Sequence, residues 1–362
     1  MAILAMRRLA IVLIMAAHGV VRARRVAVVT GASRGIGRGI ALELGAAGFS
    51  VYALGRSSRS EGMTSDRPVA AGADLTVESA AEEICAAGGV GHAIVCDVAS
   101  DTAVSEAIAS VAEKEGRLDA LVCSAYATPP GRLRDDFWKQ GMEMWDACNG
   151  VGLRGVYSTC LHAVPRMIAT AEDPVLAAPP PLVVLVSSFG GKAYTFNVAY
   201  GVGKAAVDRL ASDMSYQLKK HNVAAVTLYP GVVATEANLE MEVRGEWAEA
   251  SGGLDLSVGE TPRLSGKAVA ALLKLEPDAL LERSGSVQVV AELAEELGFT
   301  DEDGSTPPSI RSLGYLLPNF VFPDIEKRTG KPLPAWVRDN VPTKTLLPWS
   351  IFSAGPPPEP EP

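Results

Sequence analysis

A doubly wound α/β fold, a parallel sheet of about seven strands with helices on both faces, is what this chain predicts on two observations. Strand-like apolar runs alternate with helical segments from Val26 onward. The first of those runs also passes through a three-glycine turn directly into an apolar helix.

The first unit carries the most information. Val26-Ala-Val-Val-Thr30 reads as a buried strand, Gly31-Ala-Ser33-Arg34-Gly35-Ile36-Gly37 as a tight turn, and Arg38 to Leu44 as a helix. Glycines let the backbone approach a pyrophosphate, and the free amides at a helix N-terminus stabilise its charge, so the turn predicts a dinucleotide site. The remaining strands are expected at Ser50–Leu54, Gly91–Cys96, Ala120–Cys123, Leu182–Val186, Ala224–Leu228 and Val287–Val290. Helices are expected at Val77–Ala87, Ser105–Glu115, Trp145–Ala169 and Tyr200–His221. Ser57 to Ala73 and Thr170 to Pro181 read as inserted loops.

Three regions follow. Residues 1–25 form a basic and apolar leader with Arg7, Arg8, Arg22, Arg24 and Arg25 and no acid before Glu43. A signal, a short anchor, an organellar leader and an over-extended start upstream of Met6 or Met15 all fit it, so location is endoplasmic-reticulum or organelle-associated through the leader, otherwise cytoplasmic. Residues 26–304 form the catalytic domain. Residues 305–362 form a proline-rich extension whose last residues are expected to be disordered. Within it, Leu313 to Phe322 and Leu346 to Phe352 carry apolar surface for packing on the domain, for a second subunit or for peripheral membrane contact.

Composition narrows the function classes. A net charge of −9 with no basic stripe argues against nucleic acid as a partner. Five cysteines (Cys85, Cys96, Cys123, Cys148 and Cys160) lack ligand spacing, and the four histidines form no cluster. Neither a metal site nor a disulfide framework is therefore expected.

Catalysis is predicted from Tyr200-Gly-Val-Gly-Lys204, with Ser187-Ser188 upstream. A lysine one helical turn from a tyrosine favours the phenolate and brings a pKa near 10 toward neutrality, which makes a proton donor for a carbonyl oxygen. Cofactor choice is argued from charge. An NAD site usually places an acid after the second strand, whereas here that strand runs into Gly55-Arg56, and Arg34 stands inside the glycine turn. Two guanidiniums suit a 2′-phosphate, so NADP(H) is the expected cofactor.

These residues resemble the short-chain dehydrogenase/reductase family. The resemblance rests on Thr30-Gly31-x-x-x-Gly35-Ile36-Gly37, Asp97-Val98, Ser188 with Tyr200-x-x-x-Lys204, and Pro230-Gly231-Val-Val233-Ala-Thr235, in the family's order. Gly31 to Leu42, Gly116 to Tyr126, Val151 to Gly155, Phe196 to Ala206 and Leu264 to Lys267 are similar to the family's member 1 branch. The resemblance implies that Thr30 and Ser33 join the cofactor turn, Asp97 and Val98 meet the adenine, and Pro230, Gly231, Val233 and Thr235 flank the nicotinamide. It also implies that Lys204 holds the nicotinamide ribose while Ser188 bonds the substrate oxygen. Ser187 is the alternative, because its spacing of thirteen to the tyrosine is the usual one.

Two departures stand out. The family's Asn-Asn-Ala-Gly after the fourth strand is Cys123-Ser124-Ala125-Tyr126 here, and its catalytic asparagine falls at Gly152, with Asn149 a turn earlier as a substitute. The expected activity is NADPH-dependent reduction of an apolar ketone or aldehyde, or oxidation of the alcohol, with Tyr200 as general acid and base. The alternative is an NADP(H)-binding regulatory protein with weakened turnover. Substrate contacts are expected from Asn238 to Gly259, and homo-oligomers are expected by analogy.

Overall fold

In the computed structural model, residues 24–62, 70–127, 135–176 and 179–354 are described. Seven strands form one parallel sheet in the order β3-β2-β1-β4-β5-β6-β7. They are β1 (Val26–Thr30), β2 (Ser50–Gly55), β3 (Val90–Val95), β4 (Ala120–Cys123), β5 (Leu182–Val186), β6 (Ala224–Tyr229) and β7 (Val287–Val289). The order reverses between β1 and β4, and a crevice opens beyond the carboxyl ends of strands at such a switch point. Thr30 pairs in register with Leu54 and Cys123, and Cys123 with Leu185, so the glycine turn, Arg56, Ser124 and the serine pair leave the sheet at one edge.

The helices are α1 (Gly35–Ala46), α2 (Val77–Ala86), α3 (Asp101–Glu115), α4 (Met142–Trp145), α5 (Val156–Glu172), α6 (Val198–Leu218), α7 (Glu236–Val243), α8 (Trp247–Ser251), α9 (Pro262–Leu272), α10 (Pro277–Glu282), α11 (Val290–Leu297), α12 (Leu313–Leu316), α13 (Phe322–Thr329) and α14 (Ala335–Asp339). A π-helical stretch, Asp146–Gly155, joins α4 to α5. Apolar residues of α1, α9 and α11, among them Ile40, Leu44, Leu264 and Leu293, cover one face of the sheet. Val104, Ile108, Met167 and Val207 from α3, α5 and α6 cover the other. A sheet buried on both sides needs continuous apolar strands, and every residue of β1, β2, β4 and β6 is buried.

Local chemistry explains where boundaries differ from expectation. α3 starts at Asp101 rather than Ser105 because the Ser100 hydroxyl caps it, accepting the Ala103 amide. α5 runs on to Glu172, past the expected loop start at Thr170. The Thr170 hydroxyl donates to the Arg166 carbonyl and accepts the Leu118 amide, which ties the helix end beneath β4.

The leader lies outside the described residues apart from Arg24 and Arg25, and those two belong to the domain. The Arg25 guanidinium donates to the Leu273 carbonyl and stacks over Phe49, and its carbonyl accepts the Ser50 amide. No helix of the described residues is long and apolar enough to cross a membrane.

Of the uses expected for the tail's apolar stretches, packing on the domain is seen as far as residue 352. Arg311 forms an ion pair with Glu292 of α11 at 2.7 Å. Trp349 meets Tyr229 at the end of β6, and Phe352 meets Phe189 edge-on with ring centres 4.9 Å apart. The expected disorder concerns residues 355–362, which lie outside the described residues.

Candidate active site

The glycine turn is shaped by close approach. Gly31 has φ of +69°, and a Cβ there would lie 2.7 Å from the Ala125 Cα; a Cβ at Gly37 would lie 2.3 Å from the Gly31 carbonyl oxygen. Only glycine fits either position, and the result is a backbone cradle at the head of α1. One of its amides is engaged from outside the turn, the Gly35 N–H donating to Glu236 Oε2 at 2.9 Å. Arg38, which the motif left unassigned, braces the turn from below. Its buried guanidinium donates to the Ser33 carbonyl at 2.9 Å and to the Ser79 hydroxyl at 2.7 Å, and pairs with Glu83.

Arg34 reaches across the mouth of this cradle to the end of β2, where its Nη2 donates to the Ser57 hydroxyl at 2.6 Å. Arg56 follows the end of β2, next to Ser57 in the chain. Ser33 is buried and Ile36 packs against the core. Asp97 turns inward on its own loop, its Oδ1 accepting the Ala99 amide, while Val98 is buried. The Thr30 hydroxyl oxygen accepts the backbone amides of Ser124 and Ala125 just beyond β4. Its side chain therefore braces the sheet end rather than facing open cleft.

Pro230 to Thr235 is held by a residue that sequence patterning did not single out. Val233 bridges to Glu260, whose backbone N–H donates to the Val232 carbonyl and whose carbonyl accepts the Ala234 amide. Burial pushes the Glu260 carboxyl up to about 8. Gly231 lies against that carboxyl, and Thr235 caps α7 by accepting the Asn238 amide.

The proton-transfer candidates converge. Asn197 caps α6 by accepting the Tyr200 amide at 2.8 Å, which starts the helix where Tyr200 and Lys204 share a face. Tyr200 Oη donates to Ser188 Oγ at 2.6 Å. The serine alternatives separate sharply. Ser187 Oγ points the other way, donating to the Lys204 carbonyl, and only Ser188 meets the tyrosine. The Lys204 ammonium is buried, donates to the Val186 carbonyl at 3.0 Å and lies 5.8 Å from the centre of the Tyr200 ring. Burial lowers it to about 8, partly opposed by Asp208 one turn further on. Asp208 is itself raised by burial, accepts a hydrogen bond from Tyr229 and pairs with Lys192.

Asn149, one turn before Gly152, packs against α6. It is buried on the π-helical stretch, its Nδ2 donates to the Ala199 carbonyl at 3.3 Å and its Oδ1 lies against Gly203, so the side chain faces the root of α6. Beside Gly152 sits the ring of Tyr126.

Among the described residues no group of three or more histidine, cysteine or acidic side chains is placed to hold a metal ion. The glycine turn and the tyrosine, serine and lysine lie along one edge of the sheet.

Known proteins share the fold and much of the sequence. The family model for short chain dehydrogenase matches residues 25–244. The mouse (Mus musculus) protein named dehydrogenase/reductase SDR family member 1 is 38% identical over 301 residues, covering 81% of this chain and 88% of its own. Among solved structures, a 3-oxoacyl-[acyl-carrier protein] reductase from Brucella melitensis in complex with NAD superposes with a TM-score of 0.59 at 23% identity, over 74% of this chain and 95% of that one. A metagenomic short-chain oxidoreductase in complex with NADP superposes with a TM-score of 0.54 at 24% identity, over 73% of this chain and 95% of that one. The chain is a member of the short-chain dehydrogenase/reductase family of oxidoreductases.

Proposed function

We propose that the protein is an NADP(H)-dependent oxidoreductase that reduces an apolar ketone or aldehyde, or oxidises the corresponding alcohol. The observation that carries this reading is the 2.6 Å bond between Tyr200 and Ser188 with the Lys204 ammonium buried behind it. Gly31, Ser33, Gly35, Ile36 and Gly37 would hold the pyrophosphate, and Arg34 with Arg56 the 2′-phosphate. Asp97 and Val98 would flank the adenine, Pro230 to Thr235 the nicotinamide, and Lys204 with Tyr200 the ribose beside it. Solved relatives are described with NAD and with NADP, so the choice of NADP rests on the two arginines and the absence of an acid after β2.

When bound, the cofactor supplies a hydride to the carbonyl carbon. The protein's own groups manage the oxygen. Ser188 donates a hydrogen bond to the oxygen as negative charge develops on it. Tyr200 transfers its phenolic proton to that oxygen and completes the alcohol, and the Lys204 charge stabilises the phenolate left behind. In the reverse direction the phenolate takes the alcohol proton. Apolar surface near Ser188 comes from Phe189, which is backed by Trp349 and Phe352 of the tail.

The test is turnover of the purified full chain with NADPH across a panel of ketones and aldehydes, beside Tyr200→Phe. Oxidation of NADPH by the wild type and its loss in the variant, with NADPH binding retained in both, supports the reading. Binding without turnover in the wild type, unchanged by the substitution, would leave a cofactor-binding protein that does no reduction.

A further inference from the structure

Tyr126 and Gly152 both depart from the family's pattern, and in the structure the two departures are a single feature. Tyr126 stands directly after β4 where the resemblance leads one to expect glycine, and Gly152 stands where it leads one to expect asparagine. A Cβ at Gly152 would lie 2.7 Å from both Cδ2 and Cε2 of the Tyr126 ring. The ring thus fills the volume that any side chain at 152 would need, and interiors leave no room for both.

The ring also meets the buried cation. Lys204 Nζ lies 4.7 Å from the Tyr126 ring centre, closer than to the Tyr200 ring. The two tyrosine rings pack edge to face at 84° with centres 5.7 Å apart. An ammonium removed from water loses its hydration, and the negative face of an aromatic ring returns part of that loss. The groups facing Lys204 are Tyr200 and Asp208 from its own helix, Cys148 from the π-helical stretch, Tyr126 from the loop after β4 and the Val186 carbonyl from β5. Among these Asp208 is the acid, and it is already engaged by Tyr229 and Lys192.

We propose that Tyr126 is a positioning residue for the proton-transfer pair: its ring, admitted by Gly152, holds the Lys204 ammonium against Val186 and beside Tyr200, in place of a polar side chain from the neighbouring helix. The proposal rests on the proposed function only in treating Tyr200 and Lys204 as that pair. The contact between ring and ammonium is a property of the protein without cofactor.

The experiment is a pH titration of the Lys204 ammonium by NMR in the full chain labelled with 15N-lysine, in the wild type, Tyr126→Phe, Tyr126→Leu and Gly152→Ala, with Lys204→Arg to assign the signal. Phenylalanine keeps the ring face and leaves the midpoint near that of the wild type. Leucine removes the face and lowers the midpoint by about one pH unit, the equivalent of a desolvated cation–π contact. Alanine at 152 forces the ring aside and moves the midpoint the same way. This second route keeps the test alive if the leucine variant does not fold. Where turnover is measurable, the alkaline limb of kcat/KM moves down with the midpoint in the leucine variant and stays in place in the phenylalanine variant. An unmoved midpoint in Tyr126→Leu or Gly152→Ala overturns the role of Tyr126 even if Tyr200→Phe abolishes turnover. A wild type without turnover whose midpoint still falls in Tyr126→Leu keeps the role and removes the proposed reaction.

Discussion

Glu236 Oε2 accepts the Gly35 amide at 2.9 Å across 201 residues of sequence, so the head of α7 is clipped onto the head of α1. In the proposed reading a cofactor pyrophosphate would meet the same amide, and the acid would have to leave it. Glu236→Gln keeps the shape and removes the competing charge. NADPH affinity is expected to rise about fivefold, the scale of an anion at a helix N-terminus, measured by calorimetric or fluorescence titration. Unchanged affinity would mean that the carboxylate does not compete.

Arg34 and Arg56 are expected to set cofactor preference. Removing one hydrogen-bonded guanidinium from a phosphate costs about 1.5–3 kcal/mol, so Arg56→Ala should weaken NADPH binding by roughly tenfold to a hundredfold and leave NADH nearly untouched. The ratio of the two dissociation constants is the check. Equal weakening of both would place Arg56 in the fold rather than at the phosphate.

Glu260 gives a pH dependence of stability with a definite sign. Its carboxyl is raised from 4.5 to about 8 by burial, so between those values the folded chain keeps a proton that the unfolded chain releases. Stability contributed by the protonated group is full below the unfolded value and falls as pH rises, by about 1.4 kcal/mol per pH unit within that window. Glu260→Gln should flatten the decline in denaturant midpoint between pH 5 and pH 8. An equally steep decline in the variant would show that other groups cause it.

Trp349 tests whether the tail belongs to the folded body. It contacts Phe189, Tyr229, Phe352 and the Arg311 guanidinium, and it is only half-buried. Trp349→Ala is expected to cost about 2 kcal/mol, less than a fully buried aromatic, seen as a lowered Tm in calorimetry. A Tm equal to that of the wild type would mean the tail hangs free.

What could be read from sequence was local. The strand, turn and helix around Gly31, and the one-turn spacing of Tyr200 and Lys204, are periodic patterns whose partners are close in the chain. The sheet followed from them, because seven short apolar runs separated by helical stretches can be buried only as a covered parallel sheet. The choice between Ser187 and Ser188 could not be read with certainty, since adjacent residues leaving a strand point to opposite sides and spacing alone does not say which side faces the tyrosine. Arg24 and Arg25 read as part of a basic leader because charge carries no record of carbonyls 64 and 248 residues away. The contacts of Tyr126, Glu236 and Glu260 were illegible for the same reason. Each matters through contacts between distant elements, the ring with Gly152 and Lys204, the acids with the two loops that close the crevice.

In the proposed reaction Tyr200 protonates the oxygen of a carbonyl reduced by NADPH. Its most direct measurement is single-turnover transfer of deuterium from NADPH labelled at C4 of the nicotinamide, followed by mass spectrometry of the alcohol product. Deuterium should appear on the carbinol carbon with the wild type, and Tyr200→Phe should slow its appearance by about a hundredfold to ten-thousandfold, the range of a general acid, while binding NADPH as before. Deuterium transfer at the same rate in wild type and Tyr200→Phe would contradict the account.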